Sequence, residues 1–183
     1  MILNQLIAQM VTWGRQWVSQ QRTIFRPLGH PLSDSALAAF SNFFDRDLLN
    51  NVRLVTVPGI DNPPFLEQLR PALAQASVPV LDFSSMAAIT FIDTILLVES
   101  AARGHRDSLV FHELIHVVQY DILGPDKFVE LFITGWVNQG FNYAAIPLEM
   151  DAYELQYNYE NASDVGFDVQ DEVSQRLELM MED

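Results

Sequence analysis

The sequence contains no cysteine. That excludes disulfides, thiolate metal ligands and a cysteine nucleophile, so any metal must be held by His, Asp or Glu. Bases are also scarce: 10 Lys and Arg stand against 24 Asp and Glu, for a formal charge of −14. A chain this acidic is a poor match for a phosphate backbone, and no nucleic-acid partner is expected. No apolar run reaches the roughly 18 residues that a membrane-spanning helix needs. The opening stretch MILNQLIAQMVTWGRQWVSQQR lacks a basic start, a continuous apolar run and a small-residue cleavage site, so it does not read as a secretory signal. A soluble, cytoplasmic protein with no transmembrane segment is the expectation. There is no internal repeat, low-complexity segment or linker.

What is present is a globular composition, 49% apolar and 11% aromatic. At 183 residues the chain is long enough for one domain with a sizeable core and short for two. One α+β domain over 1–183 is therefore expected, with N-terminal helices in 1–50, a sheet region in 51–99, helices carrying the chemistry in 107–161 and an acidic closing helix in 168–183. Leu3, Leu6, Ile7, Met10, Trp13, Trp17 and Val18 recur at helical spacing and predict a helix over 2–20, whose Trp13/Trp17 stripe faces the core or a partner. Ser33 or Asp34 caps a second helix running to about Leu49. NVRLVTV at 51–57, VPVLDF at 78–83 and AITFIDTILLVE at 88–99 read as strands. Asp107 or Ser108 caps a helix to about Leu123, where Gly124-Pro125 stops it and Pro125 starts another that ends near Gly140; a further helix follows Pro147, and the last helix presents a solvated acidic face.

The chemistry is concentrated in FHELIHVVQY at 111–120. Residues four apart on a helix lie on one face with Cβ atoms roughly 6 Å apart, so His112 and His116 can point at one ion. Glu113 is rotated from the first of them by about 100°, which in an H-E-x-x-H helix lets its carboxylate act as general base on water at the metal. A catalytic zinc commonly takes three protein ligands. His30 lies far off among prolines, and His105 sits just before the helix start. Glu149 and Asp151 in IPLEMDAYELQ are the remaining choices, about 200° apart around their helix, so that only one faces the metal. Tyr143, Tyr153, Tyr157 and His105 are candidate donors to a developing oxyanion. Gln119 lies one turn beyond His116, facing either the site or solvent.

HELIH followed by a helix with E-x-x-A resembles the zincins, and among them the gluzincin arrangement in which a glutamate on a later helix is the third ligand. HELIHVVQ and the preceding AITFIDTILL are similar to small bacterial zincin-like domains. The resemblance spans roughly residues 88–156. It implies a zincin-like domain with a small twisted sheet packed against the HExxH helix, and zinc held by His112, His116 and Glu149. It also implies Glu113 as the base and the strand at 88–99 as the upper edge of a cleft that binds an extended peptide or protein substrate. The activity implied is that of a zinc-dependent hydrolase, a metallopeptidase. One departure is visible: gluzincins often carry an aspartate four residues after the ligand glutamate, and here that position is Tyr153, with Asp151 as the nearby aspartate. Two other readings stay open on the residues. One is a zincin-fold protein that holds zinc without turnover, as a binding or effector module. The other is a metal-free helical protein that interacts through its Trp stripe or acidic tail.

Overall fold

The computed structural model of the protein describes residues 2–101, 106–161 and 166–182. The described residues form an α+β fold of seven α-helices and a three-stranded mixed sheet: α1 (Ile2–Phe25), α2 (Asp34–Phe40), α3 (Arg46–Asn51), β1 (Arg53–Val57), α4 (Pro64–Gln75), β2 (Ala88–Phe91), β3 (Thr94–Val98), α5 (Arg106–Asn138), α6 (Pro147–Asn161) and α7 (Val169–Glu182). The strand order is β1-β3-β2, with β1 parallel and β2 antiparallel to β3.

α5 lies at the centre. Residues 110–120 are buried without a break, the pattern of a helix enclosed on all sides. It packs against β2, β3 and α1 and also against α6 and α7. Gly124 divides it into two arms: its φ of 71° and ψ of 158° leave the helical region, which glycine does at no steric cost. Pro125 then opens the second arm at a position where its missing N–H costs nothing. In that second arm Gly135 lets α6 approach, since a Cβ there would stand 2.9 Å from Cδ of Pro147.

The expected Trp stripe is internal. Trp17 packs edge-on against Phe91 and Phe83, and Trp13 against Phe65. No described helix is long and apolar enough to cross a membrane. Ser33 caps α2 by accepting from the Ala36 amide at 3.2 Å.

Three expectations need correction. The helix expected to run from Asp34 to Leu49 breaks at 41–45, where the Phe43 carbonyl accepts from the Val169 amide. The rings of Phe43 and Phe44 turn onto Phe111 there. The strand expected at 78–83 is absent, because α4 ends in a Schellman turn with Ser77 at φ 55°. The Val78 amide is spent on the Leu73 carbonyl, and Pro79 has none, so neither residue can donate to a ladder. The strand expected over 88–99 is a hairpin, turning at Ile92 and Asp93 with Ile92 at φ 64°. A β-branched residue rarely adopts that conformation.

The turn is held from outside. Arg22 donates to both carboxylate oxygens of Asp93 at 2.8 and 2.7 Å, and Arg26 pairs with the same group at 2.9 Å. Burial raises the Asp93 carboxyl, but the Arg22 hydrogen bonds and the two positive charges outweigh it and leave the group below the usual carboxylate range. Asp93→Ala is expected to cost about 1–2 kcal/mol in urea unfolding at neutral pH. A folded-state pKa below the unfolded one means that this contribution is full above the ordinary carboxylate range and is lost as the pH falls. An unchanged unfolding midpoint at neutral pH would show that the arginine clamp does not hold the turn.

Candidate metal centre

The buried first arm of α5 carries His112 and His116 one turn apart, with Glu113 next to His112, and α6 crosses it so that Glu149, in its own first turn, meets them. His112 Nε2 lies 3.2 Å from Glu149 Oε2 and 3.2 Å from His116 Nε2, and His116 Nε2 lies 3.5 Å from Glu149 Oε1. These three are the group of His, Asp and Glu side chains among the described residues that can hold a metal ion.

The outer ring nitrogens determine what the inner ones present. Gln119 donates its amide to the Leu148 carbonyl at 3.0 Å, which turns its oxygen to His116 Nδ1 at 2.8 Å. Gln156 donates to Ser108 Oγ and Glu160, which turns its oxygen to His112 Nδ1 at 3.0 Å. An amide oxygen only accepts, so each Nδ1 carries the hydrogen. In the neutral rings both Nε2 lone pairs therefore face each other and a carboxylate. Three acceptors converging away from water repel one another unless a positive charge joins them. The electrostatics agree. Burial lowers the pKa of His116, but the charge and hydrogen bond of Glu149 overcome it and push it up to about 9. Burial likewise raises Glu149, yet the histidines hold its carboxyl well below the usual range.

The donor set also fits zinc in size. Zinc–ligand bonds of about 2.0–2.2 Å in a tetrahedron set ligand atoms roughly 3.3–3.6 Å apart. The separations here are 3.2, 3.2 and 3.5 Å. Two histidines and a glutamate are a known catalytic zinc set that leaves a fourth position open.

Scans of protein-family models, curated proteins and solved structures return no match to this chain.

Of the other residues named from the sequence, Asp151 points away from the cluster. Its carboxylate pairs with Arg176 of α7 at 3.3 Å, and burial, ahead of the opposing Arg176, leaves its pKa raised. Tyr143 donates to Glu149 Oε1 at 2.5 Å, so its hydroxyl is engaged with the carboxylate. The Tyr153 ring lies over His112 at 4.6 Å, and its hydroxyl feels the charges of Glu149 and Glu113, which add to burial in raising its pKa. Tyr157 is 64% exposed, and His105 lies outside the described residues. His30 pairs through its backbone with Leu54, away from the cluster. α7 buries Val169, Val173 and Leu177, and its Arg176 ties it to the Asp151 and Glu154 side of α6.

Glu113 stands beside the cluster and accepts from Thr90 Oγ1 of β2 at 2.6 Å. Burial raises its pKa, against the pull of His116, His112 and the Thr90 donor. Sequence reasoning missed Thr90 and Gln156. Nothing in β2 marks Thr90 for this contact. Gln156 had a signal, since Glu149, Tyr153 and Gln156 fall at i, i+4 and i+7 on one stripe of α6.

Zinc titration by calorimetry is expected to show one site per chain, with no detectable binding in His116→Ala or Glu149→Gln. Gln119→Leu is expected to weaken binding about 10–100-fold, because the His116 ring loses its anchor. Asp151→Asn is expected to bind as the parent does. Loss in Asp151→Asn with retention in Glu149→Gln would contradict the geometry.

Proposed function

We propose that this protein is a zinc-dependent hydrolase, a metallopeptidase whose zinc is held by His112, His116 and Glu149 and whose general base is Glu113. The observation that carries the reading is the convergence of three buried acceptors at tetrahedral spacing, with both outer histidine nitrogens occupied by amide oxygens.

Zinc at this position would supply Lewis acidity, making water nucleophilic near neutral pH and polarising a carbonyl. The chain's own residues supply the rest. Glu113 receives a proton from the attacking water: its raised pKa brings it toward the operating pH, where a general base is most effective. The Thr90 hydroxyl fixes the orientation of that carboxylate. Glu113 then returns the proton to the departing amine. Tyr153, whose phenol lies near both carboxylates, is the donor suited to a developing oxyanion, while Tyr143 steadies Glu149. β2 is an outer strand of the sheet with Thr90 beside the base, and an extended substrate running along it would bring a peptide bond to Glu113.

The reading is tested with unfolded protein substrates and zinc-loaded enzyme. Glu113→Gln is expected to lower kcat by about 10²–10⁴ while zinc stoichiometry stays at the parent value. Full activity in Glu113→Gln would remove Glu113 as the base. A zinc-loaded parent that cleaves no peptide would overturn the hydrolase reading in favour of a non-catalytic zinc-binding module.

A further inference from the structure

Glu149 turns two oxygens toward the histidines. Oε2 lies 3.2 Å from His112 Nε2 and Oε1 lies 3.5 Å from His116 Nε2, so distance alone lets either oxygen meet an ion between them. One contact tells the two apart: the Tyr143 hydroxyl donates to Oε1 at 2.5 Å. Oε2 has no such donor, because His112, with its hydrogen on the Nδ1 that faces Gln156, offers it a lone pair. Tyr143, Glu149 and Glu113 stand together at the polar end of a partly open cavity of about 100 Å³ between α1, β2 and the second arm of α5.

We propose that Tyr143 is a positioning residue that withholds Oε1 from the metal, so that Glu149 binds through Oε2 alone and a fourth position stays open for water and substrate. The inference rests on the metal-centre reading and extends it to a residue that does not itself touch the ion. Desolvation supplies the driving force. Glu149 is 2% exposed, and a buried carboxylate oxygen without a donor is costly. With the phenol removed, Oε1 would find its missing partner in the ion, and a carboxylate held through both oxygens would occupy the position that the reaction needs. With the phenol present, a hydrogen bond to a charged oxygen, among the stronger kinds, satisfies Oε1 first.

The turn between α5 and α6 fixes that hydroxyl. Gly140 and Phe141 both adopt a φ of 65°, a conformation that a bulky residue rarely takes. Phe141 is kept there by its amide, which donates to the Trp136 carbonyl at 2.8 Å, and by its ring, edge-on to the Trp136 indole at 5.1 Å. A single 3-10 turn, Tyr143–Ala145, follows and is closed by the Ile146 amide on the Tyr143 carbonyl. Phe132 meets the Tyr143 ring edge-on. Backbone strain of this kind persists where the surroundings hold a functional group in place.

The test uses the full chain loaded with Co(II), whose visible absorption reports the number and arrangement of its ligands. Tyr143→Phe keeps the ring on Phe132 and loses only the hydroxyl; Tyr143→Leu serves if that variant fails to fold by circular dichroism. The folded variant is expected to hold one cobalt per chain, with visible absorption at least about twofold weaker than the parent as a four-ligand shell gains a fifth. Acetohydroxamate, a small chelator that needs open metal positions, is expected to bind it at least about tenfold more weakly. Parent-like absorption and acetohydroxamate affinity in the folded variant would overturn the inference. So would loss of cobalt from it, which would mean that Tyr143 is needed to hold Glu149 at all. A parent that takes up no cobalt would overturn the metal-centre reading itself, a result distinct from a variant that matches a cobalt-loaded parent.

Discussion

The structure depends on a repulsion that it builds and relieves only in part. Two imidazole lone pairs and a carboxylate face one another in a buried pocket, and two glutamines fix the rings so that neither can rotate its N–H inward. A proton on His116 offsets part of that repulsion, which is why its pKa stands near 9 against the lowering effect of burial. A divalent cation would offset more of it and would satisfy all three acceptors at once. The glutamines are neutral where a carboxylate partner would push more electron density into the ring. They therefore fix orientation and tautomer while adding no negative charge to a site that already holds Glu149 and Glu113.

Much of the remaining architecture keeps those acceptors in register. α5 carries the histidines on a fully buried arm, so their spacing is set by packing on every side. α6 begins where Gly135 leaves room for Pro147, which sets Glu149 two residues into the helix and brings the Leu148 carbonyl to Gln119. The hairpin brings Thr90 to Glu113, and the arginines of α1 hold the hairpin turn through Asp93. α1 thus lines the cavity beside Glu113 with Trp17 and also anchors the strand that orients that carboxylate.

The α+β class, the central helix and its break at Gly124 were legible because each leaves a local mark: helical periodicity, or a Gly-Pro pair. The HELIH pair was legible for the same reason, since residues four apart share a face wherever the helix lies. The choice between Glu149 and Asp151 was legible only as a choice, because helix geometry says that one faces inward and tertiary packing decides which. Arg176, 25 residues further on, takes Asp151 to the other side. Turns with little turn chemistry were not legible. Asp93 is the one turn-forming residue in an otherwise apolar stretch with no glycine or asparagine to announce a hairpin, and the conformation survives because arginines 71 and 67 positions earlier clamp it. VPVLDF has strand composition, but the Val78 amide belongs to the end of the preceding helix. The outer ligands of the histidines divide in the same way. Gln119 is three residues from His116 and open to inference, whereas Gln156 reaches His112 only through the packing of two helices.

The most direct test of the central claim is X-ray absorption at the zinc edge of the purified, zinc-loaded protein. The account predicts a first shell of about four light-atom ligands at roughly 2.0–2.2 Å with the outer-ring scattering of two imidazoles. A shell showing one imidazole or none, or six oxygens at longer distance, would mean that the His112, His116 and Glu149 cluster is not where zinc resides.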